Sequence, residues 1–229
     1  MDKIKLLSLP ANIANWINSF LRQRSQFVTF GANKSTFIII NRGTVQGSGI
    51  GPTLYICMKS DLRALSVLIN KLFKFADDTT LLVPQHTDVE LKEEFEHILQ
   101  WSAINKMVIN MTKTKEIVFH QPNVRHDILP STLEDIECVV DAKLLGVIFS
   151  SKLNFDAHIT ELLKVCSQRM YLLKMLSQQG LSVSKIHIIC FSIIVSKLLY
   201  AVSAWGGHAS SHFVNKINNL FKNSTDINI

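Results

Sequence analysis

A chain of 229 residues that is 47% hydrophobic and 18% charged is too apolar to be mainly disordered. It is long enough for one large or two small domains with a substantial core. The formal charge is +6 and is unevenly spread: residues 1–87 carry ten Lys/Arg against four Asp/Glu, residues 88–140 five against ten, and residues 141–229 nine against four. Two basic blocks around an acidic middle fit a polyanion touching both ends of the fold, or an ordinary basic protein. Cys57, Cys138, Cys166 and Cys190 form no Cys-x-x-Cys pair and no zinc-ligand spacing. Buried free thiols in a reducing compartment are expected. The stretch from Met1 to Pro10 has only a very short apolar run, so no signal peptide is expected.

Along the chain, Asn12 to Arg24 reads as a helix with Ile13, Trp16, Ile17 and Phe20 on one face. Phe27 to Phe30 and Phe37 to Asn41 read as strands around the turn Gly31-Ala32-Asn33-Lys34. A glycine-rich loop, Gly43 to Pro52, opens a helix at Pro52. Leu54, Met58, Leu62, Leu65 and Leu68–Ile69 continue its spacing. Leu72 to Phe75 and Thr79 to Val83 then flank Ala76-Asp77-Asp78 as a tight hairpin. Thr87-Asp88-Val89-Glu90 has the pattern of a capping box. It opens a helix with Leu91, Phe95, Ile98 and Leu99 on one stripe and Glu93, Glu94 and Glu96 on a solvated face.

Lys115 to His120 and Lys143 to Phe149 read as strands, with a polar loop over residues 121–136 between them. From about residue 156, Ile159, Leu162, Cys166, Met170, Leu173 and Leu176 form a helical stripe ending at Gly180. Ser182 can cap the next helix, and Ser211 to Phe221 forms a last one. Ile186 to Trp205 is about as long and apolar as a bilayer span. Lys197 inside it costs about 2.5–3.5 kcal/mol on the insertion scale, which favours a buried helix over a membrane-associated one. The picture is α+β: a mixed part over residues 1–150, then a helical part over 151–229.

Asp77 and Asp78 admit two readings. They are solvated turn acids, because aspartate suits turns. Or they are ligands for a divalent ion, since Mg²⁺ is held by one or two carboxylates plus substrate phosphates.

The order of motifs carries more than any one of them. Gln46-Gly47-Ser48-Gly49-x-Gly51-Pro52 leads through a helix to Phe75-Ala76-Asp77-Asp78. Then come an acid-rich helix, Asn110-Met111-Thr112-Lys113-Thr114-Lys115, and Lys143-Leu144-Leu145-Gly146-Val147. This succession, from Leu6 to about Trp205, resembles the reverse transcriptases of non-long-terminal-repeat retrotransposons of the LINE and Jockey type.

The resemblance implies a partial polymerase palm, an antiparallel sheet with helices on one face, followed by an α-helical thumb. It implies an ancestral activity of RNA-directed DNA polymerisation by two-metal nucleotidyl transfer with Mg²⁺ or Mn²⁺. RNA template, DNA primer and deoxynucleotides would be the partners, in the nucleus or cytoplasm. Asp77 matches the aspartate that ligates the catalytic ions, and Asp78 its weaker companion. Gln46, Gly47 and Ser48 match the loop lining the nucleotide pocket and template strand. Lys113 matches the lysine proposed as general acid toward pyrophosphate, against a solvated strand-edge lysine. Leu145 and Gly146 match the hairpin that grips the primer end, against ordinary strand packing. Trp205 is expected in the core rather than as a base-stacking platform.

Two departures stand out. Val45 replaces the proline usual before Gln-Gly, which predicts a less rigid loop. The family's further metal-ligating aspartate upstream has no counterpart, Asp2 being the only acid before Gln46. A truncated chain with an incomplete metal site is therefore expected. Such a chain is inactive alone, or is a non-catalytic nucleic-acid-binding remnant, with an exposed sheet edge and uncovered apolar surface.

Overall fold

The computed structural model describes residues 2–5, 7–40, 43–121, 123 and 129–222. Leu6, the expected strand end Asn41, and residues 122 and 124–128 of the expected loop lie outside the described residues. The chain is mixed helix and sheet and divides into two compact units, residues 1–109 and 110–229.

The first unit opens with α1 (Asp2–Lys5) and α2 (Ala11–Leu21). The second helix stops three residues short of Arg24, because Arg22 is already extended, at φ −90° and ψ 153°, and Gln23 follows at a φ of +50°. Ile17 is its buried residue and packs with Ile4 and Leu54; Ile13 and Trp16 are exposed. Strands β1 (Arg24–Gln26), β2 (Thr29–Phe30), β3 (Asn33–Lys34) and β4 (Ile38–Ile40) follow. They pair as β1 with β4 and β2 with β3, both antiparallel. Phe30, Phe37, Ile38 and Ile39 stand exposed along this ribbon.

Helix α3 (Gly51–Lys59) is shorter than its apolar spacing suggests. Residues 60–70 form an irregular loop instead, and Leu65 and Leu68 are exposed. The reason lies in α4 (Leu91–Ile104). Glu94, with no exposed surface, accepts hydrogen bonds from the Leu65 and Ser66 amides and from Asn70 Nδ2, at 2.9, 3.0 and 2.8 Å. Those amides are satisfied by a side chain, so the loop gains nothing from continuing the helix. Glu94 was expected on a solvated face and is instead the buried anchor of this loop. Burial pushes its carboxyl upward, but the bonds from Asn70, Leu65 and Ser66, with His97 nearby, bring it below the ordinary glutamate value.

The capping box does not form. Glu90 is the N-cap, and the Thr87 hydroxyl instead meets Asn70 Oδ1 at 2.7 Å and accepts the Val89 amide at 3.2 Å. Between loop and helix lies the hairpin of β5 (Lys71–Phe75) and β6 (Asp78–Leu82). Lys3 closes the unit: its ammonium bonds Met58 O, Asp61 Oδ1 and Asn105 Oδ1 at 2.6 to 2.7 Å.

The second unit starts with β7 (Lys115–Glu116), parallel to β8 (Glu137–Cys138). The strand expected to run on to His120 is only two residues long, and the His120 amide bonds Ser151 O instead. Periodicity reads Lys143 to Phe149 as one strand. It is two, β9 (Asp141–Leu144) and β10 (Val147–Ser150), hinged at Leu145–Gly146.

Helix α5 (Asp156–Gln178) buries the expected stripe up to Leu173, with Leu176 half-buried, and stops just before Gly180, φ +87°, whose amide bonds Ser177 O. Helices α6 (Val183–Cys190), a π-turn (Phe191–Val195) and α7 (Ser196–Leu199) form one run. Ser182 occupies the N-cap of α6, but its hydroxyl caps no amide. Arg169 donates to the Ile193 carbonyl within the π-turn. Residues 183–208 would pass as a membrane span by length and composition. Here Ile186, Cys190, Ile194 and Leu198 pack with α5 residues in one core, whereas Ile188, Phe191, Leu199 and Tyr200 are exposed, so the helix expected to be buried is buried along one face only.

The run breaks at Ala201, φ +51°, before α8 (Val202–Trp205); α9 (Ser211–Lys222) closes the described chain. Trp205 is in the core, as expected. Of the thiols, Cys166 and Cys190 are buried, Cys57 is half-buried and Cys138 is exposed, so the expectation of four buried cysteines holds for two.

His158, buried on α5, lies edge-on to Trp205 with ring centroids 5.5 Å apart. Burial, then the charges of Lys197 and Lys143, lower its imidazole below the ordinary value. The unfolded chain takes up this proton below about pH 6.5, whereas the fold holds the ring neutral further down. The second unit is therefore expected to lose stability as pH falls below that value, until the folded imidazole also protonates. Urea midpoints across this range check it, and His158→Gln should flatten the slope.

Candidate active site

Asp77 and Asp78 sit at the tip of the β5–β6 hairpin. Phe75 pairs with Asp78, so the turn consists of Ala76 and Asp77. Ala76 has a φ of +47°, a left-handed conformation that costs a residue with a Cβ about 1–2 kcal/mol. Both aspartates are exposed, and neither carboxylate meets a hydrogen-bonding or ionic partner among the described residues.

Beneath the turn lies Lys59, the last residue of α3 and only 4% exposed. Its ammonium donates to Ala76 O at 2.8 Å, Asp77 O at 3.3 Å and Thr79 Oγ1 at 3.0 Å. Lys74 in turn donates to Lys59 O at 2.6 Å and Leu62 O at 2.9 Å, closing the carbonyl end of α3. Burial, and then the charge of Lys74, lowers the Lys59 ammonium below its ordinary value; Asp77 and Asp78 oppose that shift. Tyr55, one helical turn earlier, places its ring centroid 5.5 Å from Lys59 Nζ. Burial and then Asp77 push its phenol upward.

Gln46, Gly47 and Ser48 form the turn before α3, in the same unit. Ser48 bonds Val45 O through both its amide (3.3 Å) and its hydroxyl (2.7 Å), and Gly47 takes φ +81°. That conformation at the third turn residue suits glycine. The turn closes without a proline at 45, because Ser48 supplies the restraint. At Gly51 a Cβ would meet Ser48 Oγ and Val45 O at 2.9 Å, so the step into the helix requires glycine.

Lys113 and the Leu145–Gly146 pair belong to the second unit. Lys113 lies in a turn rather than on a strand. Its amide bonds Asn110 O at 3.1 Å, its side chain is exposed, and its ammonium meets no partner among the described residues. Leu145 and Gly146 have φ of +46° and +86°, the pair of positive values a type I′ turn requires. Tyr200 Oη donates to Leu145 O at 2.8 Å, and a Cβ on Gly146 would come within 3.3 Å of the Tyr200 ring. Tyr200 thus seats the turn.

Hard divalent ions take carboxylate, water and phosphate oxygens. Two adjacent, exposed, unpartnered carboxylates fit one such ion. They do not supply two: among the described residues no group of three or more His, Cys, Asp or Glu converges.

Lys59 and Tyr200 were missed in reading the sequence. A signal existed for Lys59, since it lies among Tyr55, Met58 and Leu62, an apolar neighbourhood in which a lysine needs partners.

The sequence pattern of the family described as "Reverse transcriptase (RNA-dependent DNA polymerase)" matches residues 1–183. The chain is 29% identical to the RNA-directed DNA polymerase from mobile element jockey of Drosophila funebris, over 94% of this chain and 25% of that protein. It is 27% identical to the probable RNA-directed DNA polymerase from transposon X-element of Drosophila melanogaster, over 90% and 24%. It is 26% identical to the probable polymerase from transposon BS of the same fly, over 93% and 25%. The chain thus spans about a quarter of the length of these relatives. With its motifs in the family's order and the match covering residues 1–183 of 229, this chain belongs to the reverse transcriptase family.

Proposed function

We propose that the chain is palm and thumb from a reverse transcriptase of a non-long-terminal-repeat retrotransposon. Residues 1–150 are partial fingers and palm, and residues 151–229 are thumb-like. The observation that carries this reading is the exposed Asp77–Asp78 pair, without a partner among the described residues, on a two-residue turn. Asp77 and Asp78 would hold Mg²⁺ or Mn²⁺, which orients phosphate oxygens and neutralises charge developing on them. Gln46, Gly47 and Ser48 would line the nucleotide and template pocket, where the Gly47 backbone admits close approach. Lys113 would stabilise the leaving pyrophosphate with its unpaired ammonium. Leu145 and Gly146 would seat the primer end. RNA template, DNA primer and deoxynucleotides are the partners in this reading.

An in-line displacement at two ions needs bridging carboxylates beyond this pair. These 229 residues alone are therefore proposed to bind nucleic acid without extending it. Primer extension on an RNA template with Mg²⁺ or Mn²⁺ should give no incorporation; incorporation abolished by Asp77→Asn would overturn that. Duplex binding, carried by the two basic blocks, should weaken steeply with salt. Salt-independent binding would count against any nucleic-acid role.

A further inference from the structure

We propose that Lys59 is the positioning residue for the Asp77–Asp78 turn, holding it from inside so that both carboxylates remain free for a divalent ion. This rests on the reading of the pair as a cation site.

Three observations support it. First, a buried ammonium needs partners, and Lys59 spends its three protons on Ala76 O, Asp77 O and Thr79 Oγ1. All three lie on the turn or the first residues of β6. Second, the turn needs support, because Ala76 is left-handed and two negative charges are adjacent. Third, the ammonium bonds carbonyls and a hydroxyl, and forms no ion pair with either carboxylate among the described residues. A lysine paired with the carboxylates would compete with a metal ion. One bonded to the backbone behind them fixes the geometry and leaves their oxygens outward. Lys74, seated on Lys59 O, locks the helix end from which Lys59 projects.

The test is an NMR titration of the 229-residue chain with Mg²⁺. It reads amide shifts over residues 75–80 and, separately, amide exchange of the same residues. The proteins compared are wild type, Lys59→Met, Lys59→Arg, Thr79→Val and Asp77→Asn. In Lys59→Met, with the signals of α4 and of Leu65–Ser66 unchanged, Asp78 and Thr79 should exchange faster. Mg²⁺ affinity should fall about 10–100-fold, as when a residue behind a metal ligand is removed. Lys59→Arg should recover part of both.

Removing a buried positive charge would by Coulomb attraction alone strengthen cation binding, so a fall reports geometry. Thr79→Val removes one acceptor without burying a charge. It should move both readouts the same way by a few-fold, and it decides the matter if Lys59→Met does not fold. Unchanged or tighter Mg²⁺ binding with unchanged exchange, in a folded variant, overturns the proposal. If wild type shows no Mg²⁺ response, or Asp77→Asn titrates like wild type, the cation-site reading fails; the exchange data still decide whether Lys59 holds the turn.

Discussion

Glu94→Ala should destabilise the first unit by about 3–5 kcal/mol, because it strips the acceptor from buried donors. Three donors converge on that carboxylate; Asn70 Nδ2 also reaches Val89 O at 2.9 Å, but the Leu65 and Ser66 amides have no other acceptor among the described residues. Each buried donor left without an acceptor costs about 1–3 kcal/mol, so the estimate requires only that some re-solvate. Glu94→Gln keeps the shape and one acceptor but turns an amide nitrogen toward an N–H, so its loss should be intermediate. Urea unfolding with hydrogen exchange at Leu65 and Ser66 checks both, and a loss below about 1 kcal/mol would show the loop does not depend on this residue.

The pH dependence has a definite sign. Because the folded carboxyl lies below its ordinary value, the stabilisation is complete above that value. It is lost as pH falls through the folded one. Glu94→Gln should be flat across that interval.

Trp205→Ala should destabilise the second unit by about 3–5 kcal/mol, the usual range for removing a buried tryptophan. Trp205 is 3% exposed and sits against His158. Its indole donates to Tyr200 O at 3.1 Å, at the point where the helical run breaks. Tyr200 in turn bonds the Leu145 carbonyl. The substitution should therefore speed amide exchange at Gly146 and Val147 as well as lower the unfolding midpoint. Trp205→Phe keeps most of the volume and should cost about 1 kcal/mol, the value of a single hydrogen bond. Equal losses from both variants would mean the indole N–H, not the ring, holds the region.

Much of this was legible where one period governs a long segment. The α5 stripe from Ile159 to Leu176 and its stop at Gly180 follow from spacing and a glycine cap. The Asp77–Asp78 hairpin and the last helix were equally readable. What failed did so for identifiable reasons. Residues 62–69 carry helical spacing, yet the Leu65 and Ser66 amides are claimed by Glu94, from about thirty residues on. Glu94 looks solvated beside Glu93 and Glu96, because a buried acid is recognised by its donors, and these are backbone groups with no sequence signature. Lys143 to Phe149 hides a turn because Leu145 is not a residue that advertises a positive φ. By resemblance, Leu145 and Gly146 read as a hairpin; by periodicity, they did not. In the site, the aspartates were visible and Lys59 was not.

The Glu94 anchor also orders events in time. The loop it holds ends at Asn70, and β5 begins at Lys71, so the Asp77–Asp78 turn follows a segment with no regular structure of its own. That segment closes only when α4 is present to supply the acceptor, a contact that is distant in sequence and slow to form by comparison with a hairpin. During synthesis, Asp77 and Asp78 emerge and can pair their strands early. Lys59, already made, can seat the turn, whereas the loop over residues 65–70 waits for residue 94. A polypeptide ending before Leu91 would thus keep the turn seated on Lys59 but leave the loop that leads into β5 without its acceptor.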